Sequence, residues 1–200
     1  MKLLTYLADQ NKQPSFGIKL NESIIDIRKS AEWINKDHGN EKFLSIPKDL
    51  KSTLEDWNHF FPILQELEEI VSNSDLSEIS DSESDIQILP PVINPPAFRD
   101  FYAFEQHVRA ARKLRGLDMH PDWFKIAIFY FSNPNCCYGH GQKIPYPNKT
   151  TELDFELEFA IIIGNGGSNI KSGDADQVIA GYTILNDWSA RNLQREEMPL

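Results

Sequence analysis

The segment Leu153-Asp154-Phe155-Glu156-Leu157-Glu158-Phe159 sets Glu156 and Glu158 two residues apart and runs into Ala160-Ile161-Ile162-Ile163-Gly164. That is strand composition ended by a breaker. Side chains of a strand alternate between its faces, so the two glutamates are expected on one face, about 6–7 Å apart at the backbone. A third acid, Asp187, closes the apolar run Tyr182-Thr183-Ile184-Leu185-Asn186. Anionic side chains gathered in apolar sequence repel one another and lose hydration unless a cation sits between them. Carboxylates without cysteine or histidine beside them suit a hard ion such as Mg²⁺, Mn²⁺ or Ca²⁺. The same Glu-x-Glu pattern also suits the solvated face of a half-exposed sheet.

Two more groups of residues could serve chemistry. Asp100 is expected to open a helix whose apolar stripe is Phe101, Phe104, Val108, Ala111 and Leu114, with Gly116 ending it. His107 lies seven residues on, nearly two turns, so Asp100 and His107 would share a face. Asp100 as a plain helix cap and His107 as a structural or exposed histidine are the alternatives. Glu105 falls on another face and is expected in solvent. Asp187 is likewise expected to cap a helix, with Arg191 and Gln194 following at i+4 and i+7 on the same side. One account is a cap, a salt bridge and a polar surface. The other is a metal ligand beside a cation and an amide suited to an oxyanion.

The elements that must position these residues are legible in the periodicity. Residues 2–8, 15–19 and 23–27 predict short strands, and Ser30 to Lys36 a helix with Trp33 and Ile34 inward. Thr53 to Val71 carries Leu54, Trp57, Phe61, Leu64, Leu67 and Val71 at helical spacing, with a kink or a break expected at Pro62. Ser72 to Asp85 is acidic and serine-rich without Lys or Arg, the composition of a solvated connection. The prolines of Leu89-Pro90-Pro91 and Asn94-Pro95-Pro96 make a stiff, extended entry into the second region. The spacing therefore divides the chain into a small β-rich domain with a helical segment over 1–85 and a second domain over 86–200. In the second, strands are expected at 123–131, 141–147 and 178–185, with a loop over 164–176.

At 200 residues, with 40% hydrophobic and 25% charged residues, the chain can bury a real core. No apolar run approaches the ~20 residues of a membrane-spanning helix. Met1 to Asp9 is too quickly polar for a signal peptide and is expected as the first strand. A net charge of −10 argues against a nucleic-acid partner. Cys136 and Cys137 are the two cysteines, and adjacent residues seldom form a structural bridge, so a reduced, cytoplasmic chain is expected.

Taken together, Arg99-Asp100-Phe101-Tyr102-Ala103-Phe104-Glu105-Gln106-His107, the Asp154-Phe155-Glu156-Leu157-Glu158 segment, and Gly181-Tyr182 through Asn186-Asp187-Trp188-Ser189-Ala190-Arg191-Asn192-Leu193-Gln194 resemble the fumarylacetoacetate hydrolase family. The resemblance covers roughly residues 86–200. It implies an α+β fold: a β-rich mixed-sheet roll, normally dimeric, after the small N-terminal domain. It implies Asp100, Glu156, Glu158 and Asp187 as ligands of a divalent metal, Mg²⁺ foremost, and His107 as the residue that activates water. It implies Arg191 and Gln194 around the developing oxyanion, and Tyr102 and Tyr130 along the substrate pocket. The implied chemistry is hydrolysis of a carbon–carbon bond in a 1,3-dicarbonyl acid. Decarboxylation of oxaloacetate, acylpyruvate cleavage and isomerisation of hydroxy-dioates are its relatives. The resemblance breaks off at Leu200, where family members continue, so an incomplete roll with an unpaired strand at 157–163 or 178–185 is expected, active or remnant.

Overall fold

The computed structural model describes residues 1–8, 13–75 and 77–197. Asp9, at the end of the expected first strand, and Leu200, where the resemblance breaks off, lie outside them. β1 (Leu3–Ala8), β2 (Ser15–Leu20) and β3 (Ser23–Asp26) form an antiparallel meander. Leu20 pairs with Ser23, leaving the two-residue turn Asn21-Glu22. Asn21 takes a φ of 55°, the left-handed conformation such a hairpin turn demands. α1 (Ile27–His38) comes directly after. The Asp26 carboxylate caps it by accepting from the Lys29 N–H at 2.9 Å, and Gly39 ends it at a φ of 63°.

α2 (Leu50–Leu54) and α3 (Trp57–Ser72) come next. The break expected at Pro62 falls instead at Glu55 and Asp56, and Pro62 lies inside α3. Trp57, Ile63, Leu64, Leu67 and Val71 are buried against Phe16, Ile18, Ile34 and Phe43, which makes these helices the cover of the sheet. The acidic segment is more than a solvated connection. Its β4 (Ser80–Ser82) pairs with β3, Ile79 is buried, and Asp81 accepts a hydrogen bond from the Tyr6 hydroxyl at 2.9 Å. β5 (Ile86–Ile88) completes a five-stranded sheet, β4-β3-β2-β1-β5, by pairing with β1. Strand pairing thus crosses the 85/86 division expected from the sequence, which stands as a proposal about domain organisation.

Tyr6 is fully buried, and its hydroxyl oxygen lies 3.2 Å from an Asp26 carboxylate oxygen as well. Burial first, then the carboxylates of Asp26 and Asp81, push its phenol well above the ordinary value. The folded state keeps this proton, while the unfolded chain sheds it above about pH 10. Stability contributed by the Tyr6 proton is complete below that pH and is lost as pH rises past it. Tyr6→Phe is expected to cost about 1–3 kcal/mol near neutral pH. In urea titrations at about pH 8 and about pH 11, the variant should lose less stability between the two than the parent chain. An equal loss would assign the alkaline step to other groups.

Residues 93–137 form a separate compact unit. β6 (Arg99–Phe101) and β7 (Phe129–Phe131) pair antiparallel, with Asp100 opposite Tyr130. The Tyr102 N–H donates to the Ile128 carbonyl at 3.0 Å and extends the ladder. α4 (Glu105–Leu114) starts only after Phe104. Asp100 is therefore a strand residue and not the cap of that helix, because cross-strand pairing outweighs its local capping preference. The apolar stripe fails with it. Val108 is buried, whereas Phe101, Phe104 and Leu114 are exposed. Gly116 does end the helix region, at a φ of 71°. The strand expected at 123–131 shrinks to three residues after a 3₁₀ turn at Pro121–Phe124.

Among the described residues, 138–197 belong to the same unit as those before residue 93. The span 141–147 is irregular rather than a strand, since Pro145 and Pro147 have no N–H to give a ladder. Beyond it come β8 (Leu153–Asp154), β9 (Leu157–Ile163), β10 (Ile179–Asn186), β11 (Ser189–Ala190) and α5 (Arg191–Glu197). β9 pairs antiparallel with β10, and β8 with β11. Among the described residues each of these strands has one partner. Ile162 and Ala180 pack on the α3 cluster. Gly164 makes the approach possible: a Cβ there would lie 2.9 Å from the Trp57 ring. The opposite face carries Phe159, Ile161, Tyr182 and Ile184, all exposed, with Phe159 stacked on Tyr182 at 5.0 Å.

Candidate metal centre

The β9–β10 register decides which acids meet. Glu158 lies opposite Leu185. Two residues further along, the Asp187 N–H donates to the Glu156 carbonyl at 3.0 Å. Glu158 and Asp187 are therefore diagonal neighbours on the face that also holds Ala160 and Ile162, opposite the exposed apolar face. Their carboxylates come together, with an oxygen of one within 4.8 Å of an oxygen of the other, and both residues are half-buried. Two negative charges at that spacing favour a cation that draws on both. Oxygen donors alone make it a site for a hard ion.

Glu156 belongs to a different arrangement. It sits between β8 and β9, not within a strand, and its N–H donates to the Asn186 side-chain oxygen at 3.1 Å. Its carboxylate accepts from Arg191 at 2.5 Å. Arg191 also donates to the Asp154 carboxylate, through Nε at 2.9 Å, and to the Gln194 side-chain oxygen at 3.2 Å. Burial opposes the Arg191 charge, but the bonds to Glu156 and Asp154 outweigh it and hold the guanidinium above its ordinary pKa. The spacing argument had placed Asp187 at a helix start, but α5 begins at Arg191, after β11. Arg191 and Gln194 do meet, one turn apart, with the guanidinium committed to two carboxylates.

Asp154 is the site residue that spacing alone passed over. The alternation that puts Glu156 and Glu158 on one face includes Asp154, and an arginine downstream was the available signal. Asn192 was missed too. Its side-chain oxygen accepts from the buried Thr150 hydroxyl at 2.5 Å and from the Thr151 N–H at 3.3 Å, and its amide donates to the Lys149 carbonyl at 3.1 Å. This ties the 149–151 segment to α5 just before β8 delivers Asp154. Asn192→Ala is expected to cost about 1–2 kcal/mol and to speed amide exchange at Thr151, which hydrogen-exchange mass spectrometry would measure. Unchanged exchange there would remove the clamp.

In the 93–137 unit, the Tyr130 hydroxyl donates to the Asp100 carboxylate at 2.8 Å. Tyr102 accepts from the Trp123 indole through its carbonyl at 2.8 Å, and its ring meets the His107 ring edge-on at 5.6 Å. His107 is exposed on α4, and Glu105 pairs with Arg109 at 2.6 Å. The shared face expected for Asp100 and His107 does not exist as a helix face, because Asp100 precedes the helix.

The model of the fumarylacetoacetate (FAA) hydrolase C-terminal family matches residues 97–200. The chain belongs to the fumarylacetoacetate hydrolase family. A fumarylacetoacetase from Arabidopsis thaliana is 30% identical over 231 residues, covering 96% of this chain and 53% of the relative. The oxaloacetate tautomerase YisK of Bacillus subtilis is 26% identical over 186 residues, covering 88% of this chain and 56% of the relative. This family member thus spans about half the length of the curated relatives it matches. Among solved structures, the maleylpyruvate hydrolase from Sphingobium sp. SYK-6, in complex with manganese(II) and pyruvate, superposes with a TM-score of 0.59 at 16% identity. The match covers 96% of this chain and 60% of that one. At that identity the likeness is one of fold, and it supports the α+β family architecture. No helix among the described residues is long and apolar enough to cross a membrane.

Proposed function

We propose that this chain carries the metal-binding part of an enzyme that makes and consumes the enolate of a small dicarbonyl acid, by hydrolysis of a carbon–carbon bond as in a fumarylacetoacetase. The observation that carries the reading is the half-buried Glu158–Asp187 carboxylate pair of β9 and β10. Asp100 and Glu156 complete the proposed ligand set, for Mg²⁺ first and Mn²⁺ or Ca²⁺ as alternatives. When bound, such a cation polarises the carbonyl oxygens and stabilises the enolate.

The remaining steps fall to side chains. His107 takes a proton from the attacking water. Arg191 holds Glu156 in place through the salt bridge that Asp154 also anchors. Its bond to Gln194 uses the side-chain carbonyl oxygen, so the Gln194 amide nitrogen points away and serves as the donor to the oxyanion. Tyr130 orients Asp100 by its hydroxyl, and Tyr102 flanks His107 on the substrate side. The active assembly is a homodimer acting on a small molecule in the cytoplasm. Similarity to an oxaloacetate tautomerase favours one second reading, in which the enolate is reprotonated rather than formed by C–C cleavage.

A product assay separates them. The chain is incubated with acylpyruvates and with oxaloacetate, with and without Mg²⁺ or Mn²⁺. Metal-dependent release of pyruvate and a carboxylic acid supports the hydrolase. Accelerated keto–enol exchange of oxaloacetate without cleavage supports the tautomerase. Metal-independent or absent turnover of both overturns the proposal.

A further inference from the structure

Cys136 and Cys137 take no part in the chemistry above. Both are free thiols, Cys136 exposed and Cys137 half-buried. Cys136 closes the 3₁₀ turn Pro134–Cys136, and its N–H donates to the Asn133 carbonyl at 3.2 Å. The Asn133 side-chain amide donates to Cys136 Sγ at 3.1 Å, which fixes that sulfur at the surface. Just beyond the pair the chain is held. The Gly139 N–H donates to the Gln142 side-chain oxygen at 2.6 Å, and a Cβ on Gly139 would overlap the Ile88 carbonyl oxygen.

We propose that Cys136 and Cys137 are a reversible oxidation site, closing to a vicinal disulfide by exchange with a small disulfide of the glutathione type. The exposed Cys136 thiolate attacks one sulfur of the small disulfide and releases one thiol. Cys137 then gives up its proton, attacks the Cys136 sulfur and releases the second thiol. Two protein S–H bonds are lost, one protein S–S bond forms, and the two electrons pass to the small disulfide, which leaves as two thiols. Exposure sets the order. It is supported by the Cys137 thiol, which burial first and the neighbouring Cys136 second push above its ordinary value, making it the slower attacker.

The ring is easily reopened for a geometric reason. Adjacent Cα atoms across a trans peptide are about 3.8 Å apart, whereas unstrained disulfides hold theirs roughly 4.4–6.8 Å apart. The closed pair is therefore strained and readily reduced. Gly139 is tied by its bond to Gln142, so the strain is placed on the Asn133–Cys137 turn. This inference stands independently of the proposed reaction.

The test equilibrates the full chain in mixtures of oxidised and reduced glutathione, followed by alkylation and peptide mapping. The expected product is a chain two hydrogens lighter, with both cysteines blocked in one peptide and recovered by reduced glutathione. Amide exchange at Cys136 should rise while that of Gly139 stays unchanged. In Cys137→Ser the reaction should stop at a mixed disulfide on Cys136. In Cys136→Ser, glutathionylation of Cys137 should be about tenfold slower. Two glutathiones per chain, a disulfide between chains, or faster reaction at Cys137 would overturn the proposal, and peptide mapping of the parent chain reads all three without a variant.

Discussion

Glu158→Gln and Asp187→Asn should each weaken Mn²⁺ binding by about a hundredfold or more, and together abolish it within the range of a calorimetric titration. Loss of a group that merely supports a ligand costs ten- to a hundredfold, and a ligand that brings one of the site's charges should cost at least the upper end of that. The discriminating control is Glu156→Gln. Glu156 is committed to Arg191, and Arg191 keeps Asp154 as a partner without it. Its replacement should therefore weaken Mn²⁺ binding less than either of the other two changes. Equal losses at all three positions would give Glu156 a full share of the ion. No loss at Glu158 or Asp187 would return them to an ordinary acidic sheet face. None of the three substitutions changes side-chain size appreciably, so a thermal melt should show a folded chain in each case.

The contrast between Glu156 and Glu158 shows where reading the sequence succeeds. Period-two alternation puts both on one strand face; both are half-buried, but only Glu158 lies within a strand. It could not say that the strand breaks at Phe155 and Glu156, because the break is set by β8 turning away to pair with β11 thirty-five residues on. Nor could it give the β9–β10 register that makes Asp187, and not Leu185, the diagonal neighbour of Glu158. Local signals were sound where local physics decides. The Gly116 helix end and the first three strands come from turn chemistry and alternation. They failed at Asp100, whose capping preference is worth about 1 kcal/mol and yields to a ladder in which it faces Tyr130. The acidic segment failed for the reverse reason. Its composition is that of a solvated linker, yet one buried tyrosine and one buried isoleucine recruit Ser80–Ser82 to the sheet edge.

His107→Ala should lower metal-dependent turnover by about 10²–10⁴-fold, the usual worth of a general base, while leaving Mn²⁺ affinity unchanged. The separation of the two effects carries the argument. His107 projects from α4, whereas Asp100 lies on β6, so the histidine can be removed without touching the strand that presents the carboxylate. Its ring stands perpendicular to the Tyr102 ring, with centroids 5.6 Å apart, a contact that can orient the imidazole. An exposed side chain with one ring contact contributes little to folding, so a stable but slow variant is expected. Tyr102→Leu should then act through positioning, lowering turnover less than the loss of His107 and adding little to it in the double variant, since both changes affect one base. A His107→Ala protein with near-normal turnover would make the histidine a surface residue and pass the proton transfer to another group. A loss of Mn²⁺ affinity comparable to that of Glu158→Gln would make it a ligand instead of a base.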